Sequence, residues 1–308
     1  MIVPKRKNEN EKNICYLKNT ENKFKAIVAL IIAVIINNTL PYVTTVAVMI
    51  IFQLYTTALS KEINNTTQII AILLNIASLA YYFSAMFLFT KWYSTKIKNS
   101  ATETKKNNNT QYIDMFITGF SSEYAISILI TLIPLLIMAI SPQMQIVEEA
   151  TTAYESKLNS AGLTNITLFI TLRTTLLTPY TEEIVYRGII YNYVKKIIPI
   201  KKIALVVQAA LFAIAHANLI QAIYAFVMGI ILGSMTEKKG LKSTIVFHTA
   251  FNFAGITTSL LAQKMSATNT TPAWYLLLNF IVPIAGFTYV IIKKQKKERK
   301  KEKQCQQT

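Results

Sequence analysis

Long apolar runs separated by short polar stretches fill most of the chain. Residues 26–60 carry no charged side chain. A helix crosses the hydrocarbon core of a bilayer in about 20 apolar residues, so this run is too long for one straight span and too short for two. It reads as one span centred on 39–59, with the stretch Asn37-Asn38-Thr39-Leu40-Pro41 kinking it or delaying its start. Further apolar segments fall at 68–90, 124–140, 164–194, 203–217, 219–235, 243–261 and 273–292. The pattern predicts an all-α fold, a polytopic membrane helix bundle of about eight transmembrane helices.

Charge placement tests that count, because Lys and Arg collect on the cytoplasmic side of a membrane. With eight spans, 27 of the 32 Lys and Arg fall in the two tails and in the loops on the tails' side. Three, Lys61, Lys157 and Lys264, fall opposite, while Arg173 and Arg187 lie inside apolar segments. The asymmetry predicts a multi-pass protein of the cell membrane with both termini cytoplasmic. It also disposes of a nucleic-acid partner: the net charge of +17 is spread as a topology signal rather than as a binding stripe. The basic tail after residue 292 reads as a solvated flank, with contact to anionic lipid heads as the alternative.

Composition agrees. Hydrophobic residues make up 52% and charged residues 15%, against roughly 25% charged in soluble domains. The two cysteines, Cys15 and Cys305, sit in the polar tails and exclude a disulfide framework. No cleavable signal peptide and no internal repeat is evident; Asn64-Asn65 and Asn107–Asn109 read as loops. The expected organisation is a cytoplasmic tail at 1–25, accessory transmembrane helices at 26–162, a core at 163–262, a last helix at 263–292 and a basic cytoplasmic tail at 293–308.

Ionisable side chains inside spans are costly and mark function by default. They concentrate in Glu182-Glu183-Ile184-Val185-Tyr186-Arg187, in Phe212-Ala213-Ile214-Ala215-His216, and in His248-Thr249-Ala250-Phe251-Asn252. Both histidines of the protein thus fall in apolar segments read as helices. Glu183 and Arg187 share a helix face and can pair, whereas Glu182 is turned away by about 100°. That leaves Glu182 facing the bundle interior as a candidate general base. His248 and Asn252, four apart, offer an imidazole and an amide donor for a developing oxyanion. At about 1.5 Å per residue, Glu182, His216 and His248 can meet in the cytoplasmic half of the membrane. Pro179 is expected to kink its segment and open space beside the carboxylates. Phe212 reads as core, Arg173 as a side chain reaching the outer interface or a carboxylate, and Glu123 as interfacial.

Glu-Glu-x-x-x-Arg, then Phe-x-x-x-His, then His-x-x-x-Asn, each in its own membrane segment and in this order, resembles the CPBP family of intramembrane proteases, named for CAAX prenyl proteases and bacteriocin-processing enzymes and also known as Abi. The resemblance covers residues 163–261, about a third of the chain. It implies that Glu182 and His216 activate water, that His248 and Asn252 hold the oxyanion, and that Glu183 and Arg187 orient the site. A zinc version would use His216, His248 and Glu182. No His-Glu-x-x-His is present, and no carboxylate or imidazole is evident to orient metal ligands, so the cofactor-free glutamate mechanism is the favoured expectation.

The function expected is an intramembrane endopeptidase acting on a peptide or membrane-associated protein near the cytoplasmic face. Ile-, Lys- and Asn-rich usage favours bacteriocin or signalling-peptide processing, or self-immunity, over prenyl-protein maturation. The alternatives are a non-catalytic membrane regulator or immunity protein of the same fold, and a proton-coupled transporter, which the missing repeat symmetry disfavours.

Overall fold

In a bilayer the backbone must satisfy its own hydrogen bonds, so long apolar runs become helices. The computed structural model describes residues 9–59, 66–97, 109–140, 168–266 and 273–305, with 149, 152, 153 and 156. Among them there is no strand. The helices are α1 (Glu9–Leu59), α2 (Thr66–Lys96), α3 (Asn109–Ile140), α7 (Lys201–Ile214), α8 (Leu219–Lys239), α9 (Leu241–Ser266) and α10 (Ala273–Cys305). Between α3 and α7 runs a helical stretch of changing pitch: α4 (Leu168–Leu172), a π-turn π1 (Arg173–Leu177), α5 (Thr178–Glu182), a second π segment π2 (Glu183–Ile190) and α6 (Tyr191–Ile197). Among the described residues five helices are long and apolar enough to cross a membrane, within α1, α2, α8, α9 and α10. The protein is an all-α polytopic membrane helix bundle. The Asn64-Asn65 and 107–108 loops fall outside the described residues, as do Lys61 and Lys157.

The polar stretch 37–41 neither ends nor delays the first helix: α1 runs through Pro41 without a break. Two of its polar side chains, and Thr45 just after it, turn back onto the helix. Asn38 Nδ2 donates to the Val34 carbonyl at 2.8 Å, Thr39 Oγ1 to Ile35, and Thr45 Oγ1 to Pro41. Groups satisfied in this way need no water, so the stretch remains compatible with a span. The segment expected at 203–217 is shorter than foreseen, since α7 has 14 residues and ends at Ile214.

Two compact units share the chain. One comprises Met1–Ser100 and Ile184–Gln208, the other Ala101–Glu183 and Ala209–Thr308. In the first, α1 packs on α2 and α6. Trp92 Nε1 donates to the Tyr193 hydroxyl at 2.9 Å, and Asn37 Nδ2 to that of Tyr186 at 3.3 Å. Large side chains along α1, among them Ile31, Ile35, Ile50, Ile51 and Leu54, stay exposed. They are suited to lipid rather than water.

In the second unit α9 packs mainly on α3, with α10 on the other side of α3 and α8 against α9. Met115, Met228, Leu232 and Phe247 form its buried cluster. Gly119 of α3 lies against the Phe247 carbonyl of α9, where any Cβ would collide with backbone. Glycine here is what lets α3 approach α9 one residue before His248. Glu123, at the start of its apolar run, is buried between helices: it is 8% exposed, accepts from Ser127 Oγ at 2.8 Å, and lies against Gly255 of α9.

Candidate active site

The site grows from the two places where polar side chains of different helices meet. α9 carries His248, 7% exposed, and its ring is bracketed by the two neighbouring carboxylates. His248 Nδ1 lies 2.8 Å from Glu183 Oε1, and His248 Nε2 lies 3.7 Å from Glu182 Oε2. The first contact is a hydrogen bond; the second is within ion-pair reach but too long for one. A carboxylate accepts, so Nδ1 must be the donor, which fixes the ring orientation and turns Nε2 towards Glu182. Glu183 is fully buried, while 27% of the Glu182 side chain is exposed, making it the more accessible carboxylate. The sequence pointed Glu183 to Arg187, four residues on; the structure gives that carboxylate a cross-helix bond from His248. Arg187, in π2 and in the first unit, is fully buried.

His216 is not in a helix. It occupies the turn after α7, followed by Ala217 with a φ of 50° and by Asn218, which caps α8 by accepting from the Gln221 N–H. Its Nδ1 lies 2.8 Å from the Phe212 carbonyl. A carbonyl only accepts, so this nitrogen carries the proton, and in the neutral ring Nε2 then keeps the lone pair. The Phe212 ring stands edge-on to both imidazoles, with centroids 4.7 Å from His216 and 6.3 Å from His248. Phe212, which reads as plain core in the sequence, is the side chain that links the two histidines; its spacing of four from His216 is the available signal.

Asn252, one turn along α9 from His248, donates from Nδ2 to the Thr174 carbonyl of π1 at 2.9 Å. Nothing in the local sequence pattern points to Thr174. Arg173, next to it, places its guanidinium over the Phe169 ring at 6.0 Å.

Zinc catalysis needs three protein ligands with one position left open. Among the described residues no three His, Cys, Asp or Glu side chains converge as a group able to hold a metal ion. Glu182, His216 and His248 are therefore not gathered as a zinc set in this structure. The orienting groups that sequence did not reveal are present for both imidazoles: Glu183 on one Nδ1 and the Phe212 carbonyl on the other.

Residues 164–254 match the model of the family described as type II CAAX prenyl endopeptidase Rce1-like. The chain matches none of the curated proteins and none of the solved structures compared with it. The match spans Glu182, Glu183, Arg187, His216, His248 and Asn252, and points in general to a CAAX-type protease working on peptides in a lipid bilayer. Laid over three motifs on a multi-pass helical scaffold, this match is consistent with the CPBP/CAAX protease family over about a third of the chain.

Proposed function

We propose that the protein is an intramembrane endopeptidase that hydrolyses a peptide bond with water activated by Glu182. The observation that carries this reading is the placement of His248 between a buried, fixed carboxylate and a more accessible one. Glu183 holds the imidazole; Glu182 is left to do chemistry.

In the proposed cycle Glu182 takes a proton from water, assisted by the lone pair on His216 Nε2. The hydroxide oxygen bonds to the scissile carbon, and the carbonyl becomes an oxyanion. His248, taken in the cycle as an imidazolium with Nδ1–H engaged by Glu183, offers Nε2–H to that oxygen and keeps both protons through the cycle, and Asn252 offers the N–H not used by Thr174. As the carbonyl re-forms, the C–N bond breaks and Glu182 passes its proton to the leaving amine. Arg187 is assigned an orienting role on its position four residues from Glu183 and its burial.

The excess of Lys and Arg on one side supports a cell-membrane protein with both termini cytoplasmic and cleavage near that face. The substrate class proposed is a bacteriocin leader, a signalling peptide or a peptide involved in self-immunity. Purified protein is to be assayed against such peptides and against peptides ending in a prenylated cysteine. Glu182→Gln is expected to lower kcat by about 10³-fold or more, with the thermal midpoint nearly unchanged. Cleavage undiminished in that variant overturns the mechanism, and loss of cleavage in 1,10-phenanthroline overturns its metal-free form.

A further inference from the structure

Asn252 is held by a carbonyl that its own helix has released. In an α-helix the Thr174 carbonyl accepts from the N–H of residue 178, and in a π-helix from that of residue 179. Here the Thr178 N–H reaches back to Arg173 instead. Residue 179 is proline, which has no N–H and opens α5 at its second position. Both helical donors are thus denied to Thr174. The geometry also explains the π-turn, because the proline ring crowds the carbonyl four residues before it and a wider turn relieves that crowding. Asn252 Nδ2 fills the vacant place at 2.9 Å, from a helix 78 residues further along the chain.

We propose that Pro179 is a positioning residue for the reaction: by keeping the Thr174 carbonyl open, it draws the Asn252 amide into one orientation. This rests on the reading above that Asn252 faces the reacting carbonyl. A carbonyl oxygen accepts only, so the nitrogen end of the amide must meet Thr174. The amide is planar, so holding one of its N–H groups sets the direction of the other, the one left for the oxyanion. Pro179 also lies three residues before Glu182, the last residue of α5. One backbone feature thereby sets the direction of the donor and starts the turn that delivers the base.

The test is a double-mutant cycle on the full chain in detergent, reading kcat, KM and thermal midpoint for Pro179→Ala, Asn252→Ala and both together. Restoring an N–H at 179 gives Thr174 a helical donor and frees the amide. Pro179→Ala is expected to lower kcat about tenfold at a KM within about twofold of wild type, but to lower kcat less than about twofold once Asn252→Ala is present. Asn252→Ala is expected to depress the midpoint clearly with the proline in place and by about half as much or less without it. Equal effects in the two backgrounds, on kcat or on midpoint, overturn the proposal. A separate arm leaves the helix untouched: Asn252→Asp sets a carboxylate oxygen against the carbonyl and should lower the midpoint further than Asn252→Ala. A midpoint at or above that of wild type overturns the proposal too. The thermal arms need no substrate, so a protein that cleaves nothing refutes the peptidase reading while the midpoints still decide on Pro179.

Discussion

Pro283 and Pro179 both interrupt apolar helical backbone, with opposite results. Around Pro283, α10 stays a single helix from Ala273 to Cys305, and its neighbours Phe280, Ile281 and Ile284 are exposed. Around Pro179 the pitch changes before and after, and the proline is buried. Membrane helices tolerate proline wherever the freed groups find partners. Both prolines are buried; the difference lies in the backbone, since at Pro179 the pitch widens and α9 brings Asn252 to the opened carbonyl, whereas α10 carries Pro283 without a change of pitch. A proline becomes part of a site when another helix supplies a donor to the gap it leaves.

The largest loss is expected at His248, on the α9 face that also carries Asn252 to Thr174. His248→Asn removes the group bracketed by Glu182 and Glu183, so kcat should fall about 10²- to 10³-fold. The thermal midpoint should fall as well, since buried Glu183 loses a hydrogen-bond donor. Gly119→Ala comes next, forcing α3 away from the Phe247 carbonyl and costing about 1–3 kcal/mol. Thermal unfolding reads that cost, and the shift of α9 should lower kcat in parallel. Trp92→Phe, in the first unit, deletes the donor to the Tyr193 hydroxyl. It should cost about 0.5–1.5 kcal/mol in a melt and leave kcat unchanged. The smallest effect belongs to Pro283→Ala, expected to change kcat by less than about twofold. A loss there as large as that of Pro179→Ala would erase the contrast between the two prolines.

The helices themselves are legible in the sequence because charge-free runs of membrane length allow little else. The three motifs are legible because ionisable residues stand out against such runs. What the sequence hides is mostly contact between helices. The spacing of Glu183 and Arg187 by four suggests a local pair and gives no sign that His248, 65 residues away, bonds to Glu183. Glu123 passes for interfacial at the start of its apolar run, yet α3 and α9 come close enough to bury it against Gly255. Asn37-Asn38-Thr39 resembles a break because composition does not show that Asn38 and Thr39 bond to their own helix. His216 reads as helical, since nothing in Ala215-His216-Ala217 marks a stop. The stop comes from Ala217 turning left-handed and from Asn218 capping the next helix.

The shortness of α7 has a thermodynamic corollary. Fourteen residues reach only about 21 Å at helical rise, short of a hydrocarbon core about 30 Å thick. The turn that follows supplies its own partners: the N–H groups of 215, 216 and 217 reach back to the carbonyls of Leu211, Ala213 and Ile214, and the Asn218 carbonyl accepts from the Ala222 N–H. Backbone donors bonded in this way make no demand on lipid or water. An early stop is therefore cheap here, and it sets the His216 ring on the Phe212 carbonyl, one turn back.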